Sequence, residues 1–171
     1  MDKTTDQELA AAVRDSDRNA FRLLYEKYYR PLYLFLCHRT RSGDLAQDFV
    51  QELFTRIWTH RRNIDPSQSL KAYLYRIANN LVIDHFRKRK SEMSYRANLD
   101  MSPSGKNAIE TQITVMTAID HLPEKLKSVF TMSRFEGLTY QEIAEICRIS
   151  IKTVESRMSQ ALKRLRREVS A

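Results

Sequence analysis

The chain has 171 residues, of which only 3 are glycine and 4 are proline, against average usages of about 7% and about 5%. The residues that tight turns need are scarce, and strands linked by such turns are therefore disfavoured. The sequence predicts an all-α fold. A net charge of +8 favours a polyanionic partner, although many proteins this basic bind no nucleic acid. No apolar run reaches the roughly 20 residues that span a bilayer. The polar, acidic start is unlike a signal peptide, so we expect a cytoplasmic protein.

Residues that could support catalysis or metal binding are scattered along the chain. Cys37 and Cys147 stand far apart in apolar segments, which favours buried, reduced thiols over a disulfide framework. The four histidines lack the spacing of metal ligands. Asp84 beside His85 has no third group to orient it and is interpreted as structural. With no phosphate loop or nucleophile motif, the sequence predicts no enzyme, no cofactor, no metal and no small-molecule substrate.

Residues 91–108 interrupt the helical pattern with four serines, one proline and one glycine. Such a composition is typical of a linker. It separates residues 1–90, which hold 17 Lys and Arg against 11 Asp and Glu, from residues 109–171, which hold 10 against 8. We therefore expect two small helical domains joined by a flexible linker.

The first domain shows four helical patterns, with predicted bounds of about 6–14, 17–37, 44–60 and 69–90. Proline at position 31 should kink the second helix or mark a joint in it. Asp44 is the predicted N-cap of the third helix, because it follows a glycine and precedes an apolar stripe. The fourth helix ends in a run of four basic residues at 87–90.

The second domain is predicted to hold helices near 109–122 and 123–135, followed by a helix–turn–helix. Thr139 and Glu142 form a capping box for the first helix of that motif, and Ser150 is a good N-cap for the second. One face of the second helix carries apolar side chains at helical spacing and should be buried. Its opposite face can hydrogen-bond base edges and phosphates in a DNA major groove.

Three segments, taken in order, resemble one family. Residues 44–58 resemble the polymerase-binding helix of bacterial sigma factors, and residues 69–90 resemble their promoter-melting helix. Residues 138–166 resemble their reader of the minus-thirty-five promoter element. The order, the linker and the short length are similar to the extracytoplasmic-function (ECF) group of the sigma-70 family. The residue sequences at 73–79 and 152–155 are similar to those of family members from Bacteroidetes.

This resemblance implies a role for each domain. Residues 1–90 would form a region 2-like helical bundle that binds core polymerase and recognises and melts the minus-ten element. Residues 109–171 would form a region 4-like helix–turn–helix domain that recognises the minus-thirty-five element. The implied partners are the β′ coiled coil and β flap of the polymerase core, promoter DNA, and an anti-sigma factor, which in this subgroup is often anchored in the membrane.

An acidic and amide face on the third helix is the predicted polymerase contact. Its side chains, spaced at i, i+3, i+4 and i+7, are Asp48, Gln51, Glu52 and Thr55. Such a face in a basic domain suits a positively charged protein surface better than DNA. The resemblance implies the β′ coiled coil, and a merely solvated helix face is the alternative.

The fourth helix combines aromatic, amide and cationic side chains, the set that holds single-stranded DNA by stacking and by charge. The resemblance implies that the loop at 64–69 and the following residues contact the minus-ten element: Lys71, Arg76, Asn80, Arg87 and Lys88. The basic run at 87–90 has an alternative interpretation as a solvated helix end favoured by the helix dipole. Tyr73 lies on the apolar stripe and is expected in the core rather than against a base.

The predicted contacts with the minus-thirty-five element are Lys152, Thr153, Ser156, Arg157, Gln160 and Arg164. An arginine here can pair with guanine in a bidentate way. Glu155 could accept a hydrogen bond from cytosine or pair with a nearby cation. Arg148 occupies the turn position where the family usually has glycine, so a left-handed backbone there would be strained.

Two other functions compete with a sigma factor. A stand-alone helix–turn–helix regulator explains the last segment but leaves the acidic and amide face and the fourth helix unused. An enzyme acting on nucleic acid lacks candidate catalytic residues. The sequence therefore predicts an RNA polymerase sigma factor that directs promoter-specific transcription initiation.

Overall fold

The computed structural model describes residues 5–97 and 115–169. All regular secondary structure in these two ranges is helical, as predicted. The elements are α1 (Asp6–Arg14), α2 (Arg18–Thr40), α3 (Gly43–Thr59), a 3₁₀ turn (Arg61–Asn63), α4 (Leu70–Ala97), α5 (Val115–Asp120), α6 (Glu124–Arg134), α7 (Tyr140–Cys147) and α8 (Ile151–Val169).

The first two helices start at side-chain caps. Thr5 and Glu8 form a capping box at the start of α1, so two otherwise unpaired backbone donors are satisfied. Asp17 caps α2 by accepting hydrogen bonds from two backbone amides. Helix α1 has the predicted bounds. Helix α2 runs through Pro31 and ends only at Thr40, so the proline does not divide it into two helices.

The start of α3 differs from the sequence prediction. Ser42, not Asp44, is the N-cap: its hydroxyl accepts a hydrogen bond from the Leu45 amide at 3.2 Å. Gly43 becomes the first helical residue, and a Cβ there would lie 3.2 Å from the Tyr33 hydroxyl. The closeness of α2 therefore favours glycine at this position, and serine one residue earlier supplies the cap.

Helix α4 is longer than predicted. It continues to Ala97, seven residues into the segment that its composition assigned to the linker. The rest of that segment and the start of the helix predicted from 109 lie outside the described residues. Helix α6 begins directly after Pro123, which fits proline's preset backbone near a helix start.

The helix–turn–helix forms as predicted. Thr139 and Glu142 make the capping box of α7, and Ser150 accepts a hydrogen bond from the Thr153 amide at 3.1 Å at the start of α8. The buried side chains of α8 are those with helical spacing: Val154, Met158, Ala161 and Leu165. Arg148 closes α7 in the left-handed conformation, with φ of +53°, at the turn position where the resemblance implies glycine.

Helices of the two domains pack against each other. Helix α4 contacts α7, and α2 contacts α6, and the buried apolar residues of both domains form one continuous core. Aromatic rings meet across this boundary: those of His38 and Phe135 have centroids 4.8 Å apart. We call this packing of α2 and α4 against α6 and α7 the closed arrangement.

Candidate polymerase and promoter interfaces

The predicted polymerase contacts lie on one exposed side of α3. All four side chains are exposed, while the opposite side of the helix is buried. Glu52 accepts a hydrogen bond from the Arg56 guanidinium at 3.0 Å, and the Thr55 hydroxyl donates to the Gln51 carbonyl at 2.8 Å. Asp48 forms no ion pair with the described residues. The surface therefore offers one unneutralised carboxylate and one amide side chain.

The predicted minus-ten residues of α4 fall into two groups. Arg76 and Asn80 lie on the side facing the second domain and line a groove there. The Arg76 guanidinium lies 5.4 Å from the centre of the Tyr73 ring, which is half-buried against the core as expected. Arg87 and Lys88 are both exposed, and Arg87 also lines the groove.

Two side chains of α4 contact the helix–turn–helix domain directly. The Lys71 ammonium pairs with Glu142 at 3.1 Å, and the buried Asn79 accepts a hydrogen bond from the Ser128 hydroxyl at 2.9 Å. In the closed arrangement a predicted DNA-binding lysine is thus neutralised by a carboxylate of the other domain. The same carboxylate caps α7, so the start of the helix–turn–helix lies against α4.

The basic end of α4 begins with a local ion pair. Asp84 accepts from Arg87 at 3.1 Å, one turn along the helix, and the Arg87 side chain is 76% exposed. The interpretation of Asp84 as structural stays a prediction. So exposed a pair is weak, and Arg87 keeps enough freedom to exchange this partner for a phosphate.

Most predicted minus-thirty-five side chains of α8 are exposed, namely Lys152, Ser156, Gln160 and Arg164. The Thr153 hydroxyl lies 2.8 Å from that of Ser150, so it is engaged in the helix cap. The Gln160 amide donates to the Ser156 hydroxyl at 3.2 Å. Arg157 is half-buried and lines the groove that Arg76 also lines. The structure therefore leaves four of the six predicted side chains exposed, whereas Thr153 takes part in the helix cap and Arg157 is half-buried.

The groove between α4 and the second domain has a volume of about 740 Å³. Its apolar lining includes Ile83, Phe86 and Ile149, and Glu124 is the one acidic residue among the described residues that line it. The cationic side chains around it come from both domains and are Arg76, Arg87, Lys125, Arg148 and Arg157. Predicted minus-ten and minus-thirty-five residues therefore share one basic groove in the closed arrangement.

The interdomain contact also encloses a carboxylate. The Glu136 side chain is only 8% exposed and lies 3.3 Å from the His38 ring nitrogen and 3.5 Å from the Tyr75 hydroxyl. Burial raises the pKa of Glu136 above its ordinary value, although the hydrogen bond from His38 opposes that rise. Both polar partners belong to the first domain, so this acid would be rehydrated if the domains separated.

Sequence reasoning missed Arg39, whose side chain is fully buried between the domains and pairs with Glu124. A signal was present, because position 39 continues the stripe of Leu32, Phe35 and Leu36 on α2. A charged residue at a core position of an amphipathic helix indicates a buried partner. The identity of that partner, 85 positions away, could not be read from the chain.

The cysteines are free and half-buried, in agreement with reduced thiols. No described helix is long and apolar enough to cross a membrane. Within residues 5–97 and 115–169, no three His, Cys, Asp or Glu side chains gather at a point that could hold a metal ion.

Comparisons with known proteins agree with this architecture. The family model "Sigma-70 region 2" matches residues 24–92, and "Sigma-70, region 4" matches residues 112–165. The chain is 30% identical over 182 residues to the ECF RNA polymerase sigma-E factor of Escherichia coli strain K12, covering 94% of this chain and 92% of that protein.

Two solved structures share the fold. CnrH, in complex with the cytosolic domain of CnrY, has a TM-score of 0.75 at 22% identity, covering 96% of this chain and 97% of that one. The sigma factor RpoE of Bartonella quintana, in complex with the anti-sigma factor NepR, has a TM-score of 0.70 at 23% identity, covering 88% and 97%. These matches do not test the resemblance to Bacteroidetes members, which stays a prediction. With both regions matched in order, the chain belongs to the ECF group of the sigma-70 family.

Proposed function

We propose that this sigma factor directs promoter-specific transcription initiation with three separate surfaces. The exposed face of α3 binds the polymerase core. The cations and amides of α4 capture the minus-ten element as it melts, because bases that leave the stack need new stacking and polar partners. The exposed side of α8 reads the minus-thirty-five element in the major groove.

The coexistence of these surfaces in one chain supports this proposal. A stand-alone regulator has use for α8 but none for a solvent-exposed acidic and amide face on α3, whose side chains are all exposed. The electrostatics of the two faces differ in sign. Asp48 and Glu52 suit a basic polypeptide, whereas the groove beside α4 has five cationic side chains and one acidic one.

Regulation by an anti-sigma factor belongs to the same proposal. The structurally similar RpoE of Bartonella quintana was solved with an anti-sigma factor, and we infer a partner of that class for this chain. A cytoplasmic location fits a subunit that has to reach both polymerase and chromosomal DNA. The β′ coiled coil and the β flap are the core surfaces that we assign to α3 and to the second domain.

Run-off transcription with purified core polymerase tests the function. Because the promoter sequence is unknown, the template is a pool of sheared genomic fragments, and the 5′ ends of the transcripts are sequenced. We expect start sites that share upstream motifs near positions −10 and −35 and that require this chain.

Core polymerase alone is the control for unspecific initiation. A stand-alone regulator would bind a subset of fragments in a filter assay but would add no start sites to those of core alone. That result would replace the sigma-factor proposal with the regulator.

A further inference from the structure

The groove between α4 and the second domain has more positive charge than its neighbours neutralise. Four of the five cationic side chains that line it form no ion pair with the residues that the structure describes: Arg76, Lys125, Arg148 and Arg157. The Glu124 carboxylate in the groove wall is already paired with the buried Arg39. The groove therefore suits an anionic ligand.

Arg148 is the strained member of this set. Its backbone is left-handed, with φ of +53°, a conformation that glycine adopts freely and that is unfavourable for any residue with a Cβ. Its side chain is exposed and lines the groove. A strained residue whose side chain has no ion-pair partner in the described chain indicates a use for that side chain.

Arg157 lies near the same end of α7. Its positive charge opposes the burial that raises the pKa of the Cys147 thiol, and Cys147 directly precedes Arg148 in the chain. Arg157 is also half-buried, so its charge is less well hydrated than that of a surface arginine. Two guanidinium groups without a carboxylate partner are therefore neighbours in the wall of the groove.

Apolar side chains make up much of the rest of the lining, including Ile83, Phe86, Ile146 and Ile149. Ile83 is 38% exposed, so part of this apolar surface faces water. The volume of about 740 Å³ lies within the roughly 300–1,000 Å³ of small-molecule sites, which are likewise mostly apolar with a few placed polar groups. A purely polar anion would leave the apolar lining uncovered, whereas an anion with a hydrocarbon chain would use both parts.

A nucleotide fits this lining less well. Bases are held by stacking on aromatic rings, and Phe86 is the one aromatic side chain among the described residues that line the groove. An aliphatic chain has no need of such rings, because its binding comes from burial of methylene groups. The chemistry of the lining therefore favours an amphiphile over a nucleotide.

We propose that this groove is a binding site for a long-chain fatty acid. The hydrocarbon chain lies on Ile83, Phe86 and Ile149, and the carboxylate is held by Arg148 and Arg157. Guanidinium groups suit this role because their paired N–H donors match the two oxygens of a carboxylate. The site uses the packing of α4 against the second domain and does not depend on whether α4 contacts DNA.

Fluorescence titration of the full chain with dansyl-undecanoate, a carboxylate on an aliphatic chain, measures binding directly. We expect saturable binding with an emission shift to shorter wavelength as the probe leaves water. Laurate and myristate should displace the probe, and myristate should do so at about tenfold lower concentration because it buries two more methylene groups. Tetradecanol has the chain of myristate without the charge and should displace the probe at least about tenfold less well.

Two variants test whether the ligand lies in the groove. Arg148→Gly removes the guanidinium and relieves the left-handed backbone, so it should weaken probe binding by about fivefold or more without loss of stability. Ile83→Asp places a carboxylate on the apolar lining and should weaken binding by at least about tenfold.

Each variant has a control of the same chemistry outside the groove. Ser16→Gly relieves another left-handed residue, with φ of +73°, and Leu34→Asp places an acid at a leucine that is 44% exposed on α2. Both controls should bind the probe as the wild type does. The fatty-acid site is wrong if binding is not saturable, if tetradecanol displaces the probe as well as myristate, or if either groove variant binds like wild type. Equal weakening by Leu34→Asp would indicate unspecific adsorption and would overturn the site as well.

Discussion

Helices α3 and α4 carry the two predicted binding surfaces of the first domain, and the closed chain treats them differently. The face of α3 is wholly exposed, and among the residues that the structure describes its polar partners are neighbours on the same helix. Helix α4 instead lies against α7, and two of its polar side chains, Lys71 and Asn79, are engaged by the other domain. The predicted polymerase-binding surface is therefore open, whereas the predicted DNA-binding surface is partly covered.

The largest effect is expected for Arg76→Ala, which tests the predicted DNA contacts of α4. If Arg76 contacts a base, its loss should reduce promoter-dependent transcript by roughly 5- to 150-fold, the equivalent of about 1–3 kcal/mol. Affinity for core polymerase, measured by gel filtration of the mixture, should not change. Run-off yield at saturating sigma factor is the measurement.

Arg22→Ala is the matched control, because Arg22 is also an arginine in a helix but pairs only with Glu26 in solvent. Since Arg76 also stacks near Tyr73, urea unfolding should confirm that the variant stays folded. Wild-type yield from folded Arg76→Ala would remove this residue from the minus-ten contacts.

The double variant Asp48→Ala/Gln51→Ala tests the α3 side. We expect core affinity to fall by about tenfold, since a few central residues carry most of an interface's binding energy. Oligonucleotide binding by the free chain should stay at the wild-type level. Glu52→Ala alone should cost less, because Glu52 is already engaged by Arg56 at 3.0 Å.

The control is the double variant Glu26→Ala/Gln7→Ala. It removes an acid and an amide that are exposed on other helices of the first domain. Equal core affinity for the two double variants would show that the α3 face is only solvated. A loss of both core affinity and oligonucleotide binding would indicate a folding defect rather than a lost interface.

Local signals in the sequence predicted the helices and the exposed faces well. The capping box of Thr139 and Glu142 and the apolar spacing in α8 define the helix–turn–helix, because both act within a few residues. The start of α3 was missed, since Ser42 and Asp44 are both good caps and the local pattern does not decide between them. The last turns of α4 were missed because their serines resemble a linker.

Contacts between the domains could not be predicted from the sequence. Arg39 and Glu124, or Asn79 and Ser128, are dozens of positions apart, and no periodicity links them. The consequence for the candidate site is large. The sequence places Lys71 and Arg157 in different DNA contacts, whereas the structure shows the first neutralised and the second half-buried at the domain boundary.

The smallest predicted effect concerns the contact between α1 and α2, next to α4. Asp6 accepts hydrogen bonds from Lys27 at 2.7 Å and from the Tyr28 hydroxyl, which ties α1 to α2. Burial alone would raise the pKa of Asp6, but these hydrogen bonds and the charges of Lys27 and Lys71 lower it overall. Because the folded-state pKa lies below the unfolded one, this stabilisation is present above the ordinary aspartate range and is lost as pH falls through the folded value.

Asp6→Asn should therefore lower the free energy of unfolding by about 1 kcal/mol near neutral pH, a figure reduced for partial exposure of the pair. The difference from wild type should shrink as the pH falls below the ordinary aspartate pKa and through the lower folded-state value. Urea unfolding followed by the fluorescence of Trp58, the only tryptophan, reports on this domain. Asp15→Asn is the control, since the Asp15 side chain is 70% exposed beside Arg14. A pH-independent loss in Asp6→Asn would mean that Asp6 acts through packing rather than charge, so that the anchoring of α1 beside α4 would not depend on its ionisation.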